Sequence, residues 1–265
     1  MSRLVTDPAW RHRAIVAAFL VLSTGGRASA DCVFAPQGEG RVAAVIDGRS
    51  FRLDDGREIR LAGIEPVKAG DDAARARSAT ALQAIIGGRD VTLHGEDDVP
   101  DRYGRQPALV FVAGSEIPVQ AELLRRGEAL YSATVADKDC AAALAAAEAS
   151  ARKTNFGTWA EPTAIKSAES PGDILAEVGR FTVVEGRVLS VRQAGATTYL
   201  NFGRNWTRDF AATISRRMIP TFEAAGLRAK SLENRRIRVR GYVSSRGGPR
   251  IELLGMGQIE VLGGN

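Results

Sequence analysis

Apolar and polar side chains alternate over Ser50–Leu53 and again over Glu58–Leu61, the period of a half-buried strand. Asp54-Asp55-Gly56 between them supplies a tight turn, because Asp tolerates left-handed dihedrals and Gly adopts them without steric cost. Gly40–Val45, Asp90–His94 and Ala108–Val112 add three more strands. Three segments carry helical spacing instead. Asp71–Ile86 places Ala79, Leu82, Ile85 and Ile86 on one face and stops at Gly87-Gly88. Val119–Leu130 has Leu123, Leu124 and Leu130 in phase, and Ala141–Arg152 has Leu144, Ala147 and Ala151. Periodicity alone predicts a small β-barrel with helices over residues 31–160.

Residues 161–174 are rich in Ala, Ser, Pro and Glu without an apolar period, which predicts an interdomain linker. Beyond it, Phe181–Arg192, Thr197–Phe202 and Asp209–Ile214 read as strands. Arg217–Leu232 reads as a helix broken at Pro220, and Arg236–Val243 and Arg250–Leu254 as two further strands. Three strands, a helix and two strands predict a second, OB-like barrel over residues 175–265. In one of its strands Arg236, Arg238 and Arg240 share a face opposite Ile237 and Val239. Guanidinium groups in such a row repel unless anions or carboxylates meet them. With Tyr199, Phe202, Trp206 and Phe210 nearby in sequence, the row is a candidate for single-stranded nucleic acid. The alternative is a basic edge that blocks strand pairing, with Trp206 and Phe210 in the core.

The first 30 residues change the picture of compartment. A basic start (Arg3, Arg11, Arg13), an apolar run Ala14–Leu22 and Ala28-Ser29-Ala30 read as a secretory signal with its cleavage site. The apolar run is too short to span a membrane, so the expectation is an exported, periplasmic or secreted chain. Cys32 and Cys140 then most simply form one disulfide, two free thiols being the alternative. Closing a loop of about 100 residues contributes about 4–5 kcal/mol in the chain-entropy model. No cysteine–histidine spacing suggests zinc. His94, beside Glu96-Asp97-Asp98, reads more readily as a surface hydrogen-bonder than as a base or ligand.

The formal charge of +5 falls to +2 once residues 1–30 are removed. Residues 31–170 sum to −5 and residues 171–265 to +7, which predicts two units with different surfaces.

Two blocks of residues carry a family resemblance. The stretch Ile46-Asp47-Gly48-Arg49-Ser50, the hairpin, and Arg60-Leu61-Ala62-Gly63-Ile64-Glu65-Pro66-Val67-Lys68 resembles the signature of the staphylococcal-nuclease-like (thermonuclease) family, I-D-G-D-T followed by R-L-x-G-I-D-A-P-E. Asp101-Arg102-Tyr103-Gly104-Arg105 is similar to the second family block, D-R-Y-G-R. The resemblance implies a mainly β, α+β chain whose first domain is a five-stranded OB-fold barrel. It also implies hydrolysis of DNA or RNA with Ca²⁺ held by carboxylates, a Glu acting on water and two Arg clamping the phosphate. Arg60 and Arg105 match the two clamps. Asp47 and Glu65 are candidate metal ligands, Glu65 standing where the family has Asp. Tyr103 is a candidate substrate contact.

The departures are as informative. Arg49 stands where the family has a calcium-ligating Asp, and Lys68 where it has the catalytic Glu. A guanidinium repels a hard cation that needs oxygen ligands, and a protonated amine cannot take a proton from water. Asp71 and Asp72 are the nearest replacement carboxylates. Arg49, Arg60, Lys68 and Arg105 against Glu65 predict a local charge of +3, with Arg49 pairing with Glu65 in place of metal. The expected function is therefore a weakened or non-catalytic homologue binding nucleic acid or another polyanion, without cofactor. The alternatives are an active nuclease with a rebuilt, Ca²⁺-using site and a periplasmic protein-interaction scaffold.

Overall fold

The computed structural model describes residues 34–67, 72–96 and 98–263, together with Met1. The segment expected to be a leader (apart from Met1), Cys32, Lys68 and Asp71 lie outside the described residues. The fold is mixed α+β, consistent with a staphylococcal-nuclease-like, OB-like arrangement.

The N-terminal unit is built from β1 (Ala35–Asp47), β2 (Ser50–Leu53), β3 (Glu58–Leu61), β4 (Ile64–Pro66), α1 (Asp72–Ile86), β5 (Asp90–Gly95), β6 (Arg105–Val112), α2 (Val119–Arg125), β7 (Ala129–Tyr131) and α3 (Lys138–Lys153). Strands β1-β2-β3-β6-β5 close a barrel. All neighbours are antiparallel except β3 and β6, which run parallel with Arg60 opposite Pro107. β1 is long because it serves two partners: Ala35–Arg41 pairs with β5, and Val42–Asp47 pairs with β2. Alternate side chains (Phe51, Leu53, Ile59, Leu61, Leu93, Val110) point into one core, sealed by Leu82, Ile86, Leu123, Leu124 and Leu144 from the helices. Gly48 lets α1 approach the β1–β2 turn, since a Cβ there would lie 2.5 Å from the Ser78 side chain.

The helix expected over residues 119–130 ends at Arg125. Gly127 turns left-handed at φ 62°, and Ala129–Tyr131 leaves to pair with β4. This small ladder sets Glu65 opposite Leu130.

The C-terminal unit comprises β8 (Ile165–Ser167), α4 (Pro171–Leu175), β9 (Phe181–Arg187), β10 (Ser190–Ala194), β11 (Thr197–Asn201), β12 (Ala211–Ser215), α5 (Ile219–Ala224), β13 (Arg236–Ser245), β14 (Pro249–Glu252) and β15 (Ile259–Val261). Its sheet order is β10-β11-β12-β14-β13-β9-β8, with β15 also on β13. The β12–β14 pair is parallel and the pairs of β13 with β14 and β9 are antiparallel. A second core, including Leu200, Phe202, Phe210, Ile214, Phe222, Ile237, Val239 and Ile251, lies behind it. Phe210 is thus in the core, but Trp206 is 73% exposed.

Three expectations are refined. The single strand over residues 181–192 is divided at Val188-Leu189, where the backbone switches partner: Val188 bonds Arg235 and Asn234, and Leu189 bonds Asn201. Pro220 opens a helix rather than breaking one, sitting in the first turn of α5 where a missing N–H is harmless. Residues 161–174 are built into the sheet: β8 runs parallel to β9. Ala164 and Ile165 pack on a third cluster of Val67, Leu130, Ala151, Trp159 and Val183, which draws on both units.

Candidate functional site

The barrel site is assembled at the β1–β2 turn, β3, β4 and the start of β6. Asp47 ends β1, and its Oδ1 accepts the Arg49 backbone N–H at 2.8 Å. That turn directs the Arg49 side chain at β4. Gly63, at φ 79°, reverses the chain between β3 and β4; a Cβ there would meet Val135 and Leu144 at 2.7 and 2.8 Å. The reversal returns Glu65 beneath the arginines of the preceding strands.

Glu65 is held from both sides. Arg49 donates to its Oε2, and Arg60 Nη2 donates to its Oε1 at 3.0 Å. The carboxylate is nearly buried, 6% exposed. A third group comes close from the other unit, and sequence reasoning missed it: the Tyr242 hydroxyl, on β13, lies near enough to Glu65 and Arg49 for both to act on its titration. Burial pushes the Tyr242 hydroxyl above its ordinary value and the Glu65 carboxylate adds to this, while Arg49 opposes it. Arg60 keeps spare capacity, since its Nε is buried without a hydrogen-bond partner among the described residues, as is the Ser50 hydroxyl.

Arg105 is paired too. Its Nε and Nη2 both donate to Asp101 Oδ2, at 3.0 and 2.7 Å. Asp101 Oδ1 accepts the backbone N–H groups of Tyr103 and Arg105 at 2.8 and 3.1 Å. Burial acts to raise the Asp101 carboxyl, but these hydrogen bonds outweigh it and hold it at about 2. The exposed Tyr103 ring lies under Arg102 and Arg105, 4.8 and 5.1 Å from the guanidinium carbons.

The expected Arg49–Glu65 pair is therefore present, but the expected surplus of three positive charges is not. Arg49, Arg60 and Arg105 face Asp47, Glu65 and Asp101, which balances the described part of the site; Lys68 is outside it. Asp72 does not join the site. It bonds Arg75 in the first turn of α1, with its side chain 89% exposed.

The calcium ion implied by the resemblance does not fit these donors. Ca²⁺ takes six to eight oxygen ligands, whereas both Glu65 oxygens are engaged by guanidinium groups and Asp47 serves its own turn. Among the described residues no group of three or more His, Cys, Asp or Glu is placed to hold an ion.

The arginine row on β13 has a different role from the expected one. Glu185 on β9 accepts from Arg236 and Arg238, at 2.8 Å each, and Glu260 accepts from Arg238 at 2.6 Å. Arg240 is buried, 2.7 Å from Glu148 of α3 and 2.9 Å from the Tyr131 carbonyl. Carboxylates neutralise the row, and its inner end joins the two units. Its period of two was legible; what lay against that face was not. His94 is also accounted for locally: Nδ1 sits 3.1 Å from the Phe34 carbonyl and the ring packs edge-on against Phe111.

Residues 58–161 match the family model of the staphylococcal nuclease homologue. Over this stretch the chain is similar to the staphylococcal nuclease homologue family. The match begins at β3 and ends just past the turn that follows α3, so it spans Arg60, Glu65, Asp101 and Arg105 but not the β1–β2 turn with Arg49. Among curated proteins nothing matches the chain. No helix of the described residues is long and apolar enough to cross a membrane.

Proposed function

We propose that this chain is an exported, nucleic-acid-binding relative of the nucleases in which calcium-dependent phosphodiester hydrolysis is absent. The observation that carries the reading is Glu65 held between Arg49 and Arg60. The carboxylate that would ligate calcium instead serves as counter-ion to the residue replacing its partner ligand. The phosphate clamps persist: Arg60 and Arg105 stand on adjacent parallel strands. Their present carboxylate partners occupy the forks a phosphate would use, so an incoming phosphodiester competes with Glu65 and Asp101. Lys68, at the sequence position of the water-activating Glu, carries a positive charge rather than a base for water.

Several features belong to the same proposal. The leader reading of residues 1–30 supports export to the periplasm or beyond. Cys140 is buried, and no cysteine among the described residues is free; Cys32 is the partner the sequence offers for a disulfide. The two units divide near residue 160, the second taking in β8 and α4 from the stretch expected to be a linker. The mixed sheet of the second unit, with its parallel β12–β14 pair, is what supports the reading of an OB-like domain.

The test is cleavage of single-stranded DNA and RNA by the purified protein with calcium and then with chelator, with Arg105→Ala in parallel. The expected result is no cleavage above the Arg105→Ala background. Calcium-dependent cleavage abolished by Arg105→Ala overturns the proposal and means that a site has been rebuilt from other carboxylates.

A further inference from the structure

The face of the second unit formed by β10, β11, β12 and β14 carries a groove of about 840 Å³, a size within the range of ligand sites. Its floor follows from strand register. Ser190, Asn201, Ala211 and Arg250 lie in one cross-strand row, and Arg192 and Tyr199 in the next. The opposite faces of these strands hold the core residues Leu200, Ala212, Ile214 and Ile251, so the groove side is fixed outward by the period of two.

Three guanidinium groups line the groove, those of Arg192, Arg204 and Arg250, and no carboxylate does. Among the described residues none of the three forms an ion pair, although Glu233 acts on Arg192 through space. The nearby carboxylates are otherwise engaged. Asp209 accepts the Asn205 backbone N–H at 2.8 Å and contacts Arg208 at 3.7 Å. Glu233 bonds Lys230 and the Val191 N–H. This is the reverse of the barrel site, where every guanidinium has its carboxylate.

Flat aromatic faces alternate with these charges. The Arg250 guanidinium carbon lies 5.2 Å from the Tyr199 ring centre. Trp206, 73% exposed, is presented at the rim by an ordered turn. Asn205 Oδ1 accepts from the Thr207 N–H and hydroxyl at 3.1 and 2.6 Å, and Asp209 packs so closely that a Cβ on Gly203 would lie 2.1 Å from it. A large indole held in water by a well-bonded turn exposes apolar surface that folding alone would bury.

We infer that this groove is a binding site for single-stranded nucleic acid, with Arg192, Arg204 and Arg250 on phosphates and Trp206 and Tyr199 stacking bases. Guanidinium forks match phosphate oxygens bidentately, and base–aromatic stacking tolerates any sequence because every base has a π-face. An acidic peptide or polysaccharide would use the charges and leave the ring faces idle. The inference stands on residues of the second unit and does not depend on the reading of the barrel site.

The test is fluorescence anisotropy of a labelled twelve-residue oligothymidylate, and of its RNA counterpart, with the purified protein over a range of salt. Labelled heparin serves as the polyanion without bases. Trp206→Ala, chosen because its exposed side chain supports no core, is expected to weaken oligonucleotide binding about tenfold and heparin binding hardly at all. Arg192→Ala/Arg204→Ala is expected to reduce the slope of log K against log salt by about 1.4, each lost phosphate contact on a single strand accounting for about 0.7. Arg60→Ala/Arg105→Ala is expected to leave this binding largely in place. Oligonucleotide binding unaffected by both groove variants overturns the inference. If Arg60→Ala/Arg105→Ala alone abolishes binding, the inference falls while the barrel reading stands. No binding by the unaltered protein, or equal loss of heparin and oligonucleotide binding in Trp206→Ala, also overturns it.

Discussion

Glu148 of α3 and Arg240 of β13 meet at 2.7 Å between the two cores, their side chains 1% and 6% exposed. The same carboxylate accepts the Tyr131 N–H at 2.8 Å, and the same guanidinium donates to the Tyr131 carbonyl at 2.9 Å. One residue of β7 is thus gripped at both backbone polar groups by an ion pair whose halves come from different units. Arg152 also reaches Glu148, at 3.2 Å, so it is loss of the carboxylate that strands a buried charge, the Arg240 guanidinium. Glu148→Leu is expected to lower unfolding free energy by about 3–5 kcal/mol, measured by urea denaturation. Glu148→Leu/Arg240→Met, which removes both charges, is expected to recover most of that loss. A single variant within 1 kcal/mol of the parent would mean that the pair does not hold the units together.

Calcium gives a second expectation. With both Glu65 oxygens engaged, millimolar calcium is expected to leave the thermal midpoint where chelator leaves it. Arg49→Asp removes a guanidinium from Glu65 and restores a carboxylate at the turn, so the variant is expected to gain a calcium-dependent rise in Tm. Ligand at one hundred times its Kd stabilises by about 2.7 kcal/mol, well within calorimetric reach. A parent protein whose Tm rises with calcium would place the ion somewhere other than between these arginines.

Acid stability should carry the signature of Asp101. Its carboxyl is lowered from 3.8 to about 2 in the folded chain, so the folded state holds the proton less tightly than the unfolded one. The contribution is full above pH 3.8 and is lost as pH falls through about 2. Asp101→Asn is expected to flatten the pH dependence of stability in that window and leave the neutral-pH slope unchanged. Equilibrium unfolding at a series of pH values checks it, and an unaltered acid limb would count against Asp101 as its source.

The barrel was legible in part: alternation marks Ser50–Leu53 and Glu58–Leu61, and the five-stranded OB form came from the family resemblance rather than from periodicity. The Arg49–Glu65 pair was legible as well, since Arg49 replaces one carboxylate of the site while Glu65 keeps another as its counter-ion. The β13 arginines were less so. Period two assigns Arg236, Arg238 and Arg240 to one face, but the carboxylates that meet them come from β9, β15 and a helix of the other unit, at separations no local pattern encodes. Tyr242 was invisible for the same reason. Its reach to Glu65 depends on how the second unit docks, which follows from Val67, Leu130, Trp159 and Val183 packing together. The signal for the groove was present in Tyr199 and Trp206, but it attached to the wrong arginines.

Gly63 and Gly56 separate two kinds of glycine requirement. Both have positive φ, 79° and 89°, a region that penalises a Cβ by roughly 1–3 kcal/mol. Gly56, at the tip of the β2–β3 hairpin, has open space around it, whereas a Cβ on Gly63 would press into Val135 and Leu144 at 2.7 and 2.8 Å. Overpacking adds roughly 1–3 kcal/mol. Gly56→Ala is therefore expected to show the backbone penalty alone, and Gly63→Ala roughly twice that loss in the same denaturation experiment. Gly63→Ala has a further consequence, because the turn it occupies carries Glu65 to the arginines. Displacing that turn loosens the carboxylate, frees Arg49 and Arg60, and is expected to raise the affinity of the barrel site for a phosphodiester even as the fold weakens. Equal losses from the two substitutions, with oligonucleotide binding unchanged in both, would show that the β3–β4 turn does not set the position of Glu65.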